Sequence, residues 1–185
     1  MANSIINVGQ TGSGKTHFVI TKIIPNAKNI ICFDLYGNEY NLEGFTTINR
    51  ISEYKGGKAR LIHNESIHDE INDLVSEMLK DLKKLKNVTF VFEDATIFLN
   101  SQRDETVKTL LINKRHYNMS FVWLFHTLSE IPPYIFKAST ALRLGKTKDM
   151  KNAILSKFRG EENIIKAYEK IQISSDLRAN VFIKI

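Results

Sequence analysis

Gly9-Gln10-Thr11-Gly12-Ser13-Gly14-Lys15-Thr16 puts three glycines, a lysine and a hydroxyl into one short run. Gly9, Gly14, Lys15 and Thr16 match the spacing G-x-x-x-x-G-K-[ST]. Glycines at these points let successive backbone N–H groups turn inward around phosphate oxygens, and a helix starting directly afterwards adds its positive dipole end. Lys15 is then placed to reach β- and γ-phosphates, and the Thr16 hydroxyl to ligate Mg²⁺. The whole run Gly9 to Thr16 therefore reads as a binding loop for a nucleoside triphosphate, with ATP and Mg²⁺ as the expected cofactors.

Binding alone is not hydrolysis, which also needs a metal-orienting acid and a group that positions water. Val88-Thr89-Phe90-Val91-Phe92-Glu93-Asp94 supplies an apolar strand ending in two acids. Glu93 is assigned to Mg²⁺, through water, and Asp94 to the water-polarising base. The two roles can be exchanged, and acids that merely cap a strand at the surface are the competing structural reading. Ser120 to Thr127 forms another apolar run with a polar end. His126 and Thr127 are placed there to sense the γ-phosphate or the attacking water, unless His126 is simply a satisfied structural histidine. Lys114-Arg115-His116 precedes that run. Arg115 is the candidate finger for a neighbouring subunit, with Arg103 and Arg143 as rivals, against the plainer role of a cation at a helix C-terminus.

These residues need a scaffold, and short β-branched or aromatic runs alternating with helical patterns predict a parallel α/β sheet. Strands are expected at Ser4–Val8, Asn29–Asp34, Phe45–Ile48, Arg60–Ile62, Val88–Glu93, Ser120–His126 and Ala138–Leu144, with Asn180–Ile185 closing the sheet. Helices are expected at Lys15–Ile23, Ser66–Leu85, Arg103–Tyr117, Asp149–Lys157 and Glu161–Gln172. Pro132-Pro133 and Gly56-Gly57 read as loop punctuation. The helix from Glu161 carries Ile164, Ile165, Tyr168 and Ile171 on one face, to cover the sheet edge or to meet another subunit. The segment Glu161–Ile185 carries no functional signal of its own.

At 185 residues the chain reads as a single domain, 1–185. Hydrophobic and charged fractions of 43% and 25% are ordinary for a globular protein. The single cysteine, Cys32, lies in an apolar run and excludes an intramolecular disulfide. No apolar stretch is long enough to span a bilayer, and Met1 to Ser4 runs into the first strand without a signal peptide. A net charge of +6 and a pI of about 9.3 suit a polyanionic partner, nucleic acid or an anionic membrane. The basic clusters lie at Lys80–Lys86, at Lys114–His116 and from Lys146 to Arg159.

The order of parts resembles the FtsK–HerA superfamily of ring-forming DNA pumps. Asp34, Gly37, Glu39 and Tyr40 resemble the Asp-x-x-Gly-x-Glu-Tyr run after strand two in HerA-like members. Arg115-His116 before a buried strand resembles the compact branch of viral and phage genome-packaging ATPases. Two motif positions depart from that pattern: the acid pair is inverted, as Glu93 then Asp94, and His126 stands where many relatives carry Gln or Asn. No accessory domain is evident, which suits a viral packaging motor. The resemblance implies a three-layer P-loop NTPase fold of the ASCE/RecA-like class, with a mostly parallel central sheet flanked by helices. It further implies an ATPase that assembles as a homo-oligomeric ring with ATP between neighbours, Arg115 or Arg103 entering from the adjacent protomer. Such a ring would drive DNA, without sequence preference, into a preformed capsid. Its partners would be DNA and a capsid or portal vertex protein, in the host cytoplasm and at the virion vertex. The alternatives are a phage assembly ATPase resembling the zonula occludens toxin family, exporting single-stranded DNA, and a small P-loop metabolite kinase.

Overall fold

The computed structural model describes residues 3–34, 37, 39–62, 85–99 and 104–185. Among them, the β-rich runs form strands β1 (Ser4–Val8), β2 (Ile30–Phe33), β3 (Thr46–Ile48), β4 (Lys58–Leu61), β5 (Thr89–Phe92), β6 (Ser120–Phe125), β7 (Ala141–Gly145) and β8 (Asn180–Lys184). They join in one sheet in the order β3-β4-β2-β5-β6-β1-β7-β8. All pairings are parallel except the antiparallel pairing of β7 with β8. β2 is buried at every residue, as a central parallel strand covered on both faces must be.

The two faces carry different side chains because strand residues alternate. One face presents Ile6, Ile31, Phe33, Phe90, Phe92, Phe121 and Trp123. It packs against helices α2 (Asp104–Asn113), α3 (Pro133–Ala138), α4 (Lys151–Lys157) and α5 (Glu162–Gln172), through Val107, Leu110, Ile135, Ile154 and Ile164. The other face presents Ile30, Cys32, Val91, Val122 and Leu124 to Val19, Ile24 and Tyr40. Helix, sheet and helix thus make three layers. An aromatic stack runs across the first face: Phe33 lies 4.6 Å from Phe92, and Phe92 lies 4.4 Å from Trp123, each pair within 7° of parallel.

Helix α1 (Lys15–Phe18) is shorter than its pattern. It widens into a π-turn over Val19–Ile23 and tightens into a 3₁₀ turn over Ile24–Asn26. Pro25 lacks the N–H that would continue the helix, and the Thr21 hydroxyl donates to the His17 carbonyl at 2.8 Å. Ala138–Leu144 is not one strand: the chain is helical to Ala138, and β7 begins at Ala141. Pro133 starts that helix, since its fixed φ suits a first turn, so the Pro-Pro pair is a helix entry as well as a loop mark. The fourth strand covers Lys58–Leu61 where Arg60–Ile62 was expected. The expected helix at Ser66–Leu85 and residue Arg103 fall outside the described residues, apart from Leu85, which is buried in the core. Helix α5 buries Ile164, Ala167, Tyr168 and Ile171, so its apolar face serves the core. Among the described residues, no helix is long and apolar enough to cross a membrane.

Phe92 packs with four aromatic partners, Phe33, Trp123, Phe98 and Phe121. Replacing it with Ala should lower unfolding free energy by about 3–5 kcal/mol, read as a shifted midpoint in urea denaturation followed by circular dichroism.

Candidate nucleotide-binding site

In a parallel sheet the loops at the carboxyl ends of the strands share one edge, and ligands bind there. β1 leads into the phosphate loop, β5 into Glu93-Asp94 and β6 into His126. Because β6 lies between β1 and β5, His126 stands between the loop and the acids. Its ring joins them: Nε2–H donates to Asp94 Oδ1 at 2.6 Å, leaving Nδ1 to accept from Lys15 Nζ at 3.4 Å. That tautomer follows from the partners. The His126 and Thr127 backbone N–H groups both donate to Glu130, which fixes the turn after β6.

Lys15 is almost wholly buried, and its ammonium donates to Gly9 O at 2.6 Å. Burial lowers its pKa, while Glu93 and Asp94 pull the other way. Thr16 Oγ1 donates to Glu93 Oε1 at 3.2 Å, and the Tyr40 hydroxyl donates to Glu93 Oε2. Burial raises the Glu93 pKa, against the lowering effect of these two hydrogen bonds. Asp94 has a left-handed backbone, φ 49° and ψ 60°, which breaks the strand and starts the 3₁₀ turn Ala95–Phe98. That bend separates the two acids: Glu93 stays with Thr16, and Asp94 goes to His126.

Two further groups shape the loop from beneath. Arg143 on β7 donates to Asn7 Oδ1 at 2.9 Å and to Ser13 O at 3.4 Å, with its guanidinium 5.2 Å from the centre of the Phe18 ring. Asn7 Nδ2 in turn donates to Lys15 O at 3.0 Å. Only 5% exposed, Arg143 is a brace for its own loop and is not presented to a neighbour as a finger, because both arms are already bonded inside. Gly9 allows the closest approach: a Cβ there would lie 2.4 Å from Ser13 Oγ.

A cavity of about 550 Å³ opens above these groups. Thr11, Gly12, Gly14, Lys15 and Thr16 line it from the loop, and Glu93, Asp94 and His126 from the strand ends. Gln10 and Thr127 border an adjoining hollow of about 400 Å³ with Lys148. Gly9 and Ser13 form the inner wall of the loop. Arg115 is not brought here. It is exposed in the turn that precedes β6, at the opposite edge of the sheet from this chain's own cavity.

Asp34, Glu39 and Arg178 also line the cavity. The Asp-x-x-Gly-x-Glu-Tyr run acquires a physical reason, since Asp34 Oδ2 accepts from the Glu39 and Tyr40 backbone N–H groups at 3.1 and 3.0 Å. This loop turns Glu39 to the cavity and seats Tyr40, fully buried, behind Glu93. The Tyr40–Glu93 bond was not foreseen from the sequence, although the run itself was the signal. Arg178 had no signal, being a lone arginine in a segment with no motif. The Thr16 hydroxyl and the Glu93 carboxylate are adjacent hard oxygen donors of the kind Mg²⁺ takes, with room in the cavity for its waters.

No family model and no curated protein matches the sequence. The structure, however, aligns with the genome packaging NTPase B204 of Sulfolobus turreted icosahedral virus 2 in complex with sulfate. The TM-score is 0.80 over 99% of this chain and 91% of B204, at 17% identity. This is the fold of a P-loop NTPase. B204 in complex with ATP-gammaS gives a TM-score of 0.75 at 16% identity, over 98% of this chain and 92% of that one. The pCW3 conjugation coupling protein TcpA with ATPγS gives 0.58 at 15% identity, over 99% of this chain and 57% of TcpA. The P-loop NTPase fold, with its mostly parallel sheet between helices, is thus the one expected from the motifs.

Gly9→Ala should force Ser13 aside and weaken ATP binding roughly five- to 150-fold, if an overpacking cost of about 1–3 kcal/mol falls on the loop's binding conformation; titration of a fluorescent ATP analogue reads it. Glu93 gives a pH test. With its folded pKa raised, the folded state holds the Glu93 proton more tightly than the unfolded chain does. Stability therefore falls as pH rises from the ordinary carboxylate range through the raised value, and the loss is complete above it. Glu93→Gln should accordingly melt higher than the parent at neutral pH without nucleotide, with the gap closing in acid; calorimetry across pH reads it.

Proposed function

We propose that this chain is an ATP-driven DNA translocase that packages a viral genome into a preformed capsid. The observation that carries this reading is the meeting of Lys15, Thr16, Glu93, Asp94 and His126 around one cavity. They do so on a fold that matches a genome packaging NTPase over almost its full length. The ATP analogue bound to that NTPase supports ATP as the nucleotide here.

The residues divide the chemistry by position. The loop amides and the Lys15 ammonium bind the phosphates, and the bond from Lys15 to Gly9 O is the one that a γ-phosphate replaces. Thr16 and Glu93 are the residues to hold Mg²⁺, which when bound neutralises charge on the β- and γ-oxygens. Glu93 is preset for this by Tyr40 and Thr16. Asp94 is the base that takes the proton of the attacking water, and His126 orients it through Nε2–H. The inverted acid pair thus keeps the usual division of labour: the first acid serves the metal and the second the water.

Subunits form a homo-oligomeric ring, in which Arg115 reaches the neighbour's nucleotide. Its exposure and its place at the far sheet edge suit a group that acts only in trans. DNA passes through a basic channel by phosphate contacts, so binding is independent of sequence and weakens steeply with salt. The ring docks at a capsid or portal vertex and works in the host cytoplasm. The second reading is a phage assembly ATPase exporting single-stranded DNA; the likeness to TcpA, a conjugation coupling protein, is compatible with it.

Steady-state ATP hydrolysis with and without double-stranded DNA, beside Lys15→Ala, tests the proposal. Turnover stimulated by DNA and abolished in the variant is the expected result. Lys15-dependent turnover indifferent to saturating double-stranded DNA would count against a packaging motor, and stimulation by single strands alone would favour the second reading.

A further inference from the structure

The segment between α5 and β8 lies beside the phosphate loop and is tied to it. Lys146 Nζ donates to Ser174 O at 2.6 Å, while Lys146 O accepts from the Gln10 N–H at 2.6 Å. One residue therefore clips the C-terminal segment and the phosphate loop together. At the tip, Leu177 comes so close that its Cδ2 lies 3.1 Å from where a Cβ on Gly12 would be. Asp176 holds the next turn by accepting from the Arg178 backbone N–H at 2.8 Å. The tip is thus a built turn pressed on the loop, and it carries Arg178 into the cavity wall.

Arg178 is exposed, and its guanidinium has no acceptor among the described residues. The cavity it faces already holds the carboxylates of Asp34, Glu39, Glu93 and Asp94, against the ammonium of Lys15. A triphosphate adds several more negative charges in a partly enclosed space. A guanidinium without an acceptor among the described residues, lining the same cavity as Thr11 and Gly12 of the phosphate cradle, meets that demand. Its planar fork suits two phosphate oxygens at once.

We infer that Arg178 is a phosphate-binding residue supplied in cis by the C-terminal segment to the nucleotide cavity that it lines. The inference rests on the reading that the cavity takes a nucleoside triphosphate. It is distinct from the role of Arg115, because Arg178 serves its own protomer's nucleotide and does so without a ring.

Calorimetric titration of the full chain with ATP and with inorganic tripolyphosphate, both with Mg²⁺, tests it in the parent, Arg178→Ala and Arg178→Lys. Loss of a charge-assisted contact should weaken both ligands about ten-fold or more in Arg178→Ala, with partial recovery in Arg178→Lys and an unchanged melting temperature without ligand. Parental tripolyphosphate affinity in Arg178→Ala overturns the inference: if ATP alone weakens, Arg178 touches the nucleoside, and if neither weakens it touches nothing. Those outcomes leave the ATPase reading standing. A parent that binds neither ligand removes both.

Discussion

Parallel pairing of β6 with β1 on one side and β5 on the other is the constraint from which the site follows. Parallel strands send all their following loops to one edge, so the three turns that carry Lys15, Glu93-Asp94 and His126 have to meet. The middle strand then decides which groups touch. His126 leaves β6 between the lysine and the acids, and one imidazole is wide enough to bond both. The same parallel pairing requires both faces of the sheet to be covered, which the helices and the α1 segment do.

Much of this was legible in the chain. The phosphate loop is a local motif whose residues do their work within a few positions of each other, so its spacing is sufficient. The acids of β5 and the histidine of β6 were legible one level up, because an apolar strand with a polar end is a one-dimensional pattern and the parallel sheet supplies the edge. What was hidden depends on contacts between distant segments. Arg143 lies in an ordinary strand pattern, and only its pairing beside Asn7 makes it a brace. Arg178 lies 163 positions beyond Lys15 in a loop of common composition, and it reaches the cavity through the β7–β8 pairing, the Lys146 clip and the seating of Leu177 on Gly12. The short helix Pro133–Ala138 was obscured because proline marks both loop ends and helix starts.

Electrostatically, the site is arranged around burial more than around net charge. The overall excess of basic residues is spread over surfaces, and several of those residues are engaged internally: Lys114 with Ala138 O, Lys146 with Ser174 O and Lys157 with Ser129 O. At the cavity the balance is acidic. Burial works against the charged forms of Lys15 and Glu93 alike, so each is held by a neighbour suited to it, Lys15 by a carbonyl and Glu93 by two hydroxyls. A nucleotide with its metal would replace that internal solvation by bonds to ligand.

Trp123 is the chain's single tryptophan. Its ring lies on Phe92 of β5, its own strand is β6, and its indole N–H donates to Ser4 Oγ of β1 at 3.1 Å. The protein's tryptophan fluorescence, excited apart from its six tyrosines, therefore originates at the junction of the three strands whose ends carry the phosphate loop, the acids and the histidine. Any motion that shears those strands against one another changes the polarity and stacking around the single indole, so the molecule carries a built-in optical gauge of its working edge that needs no label.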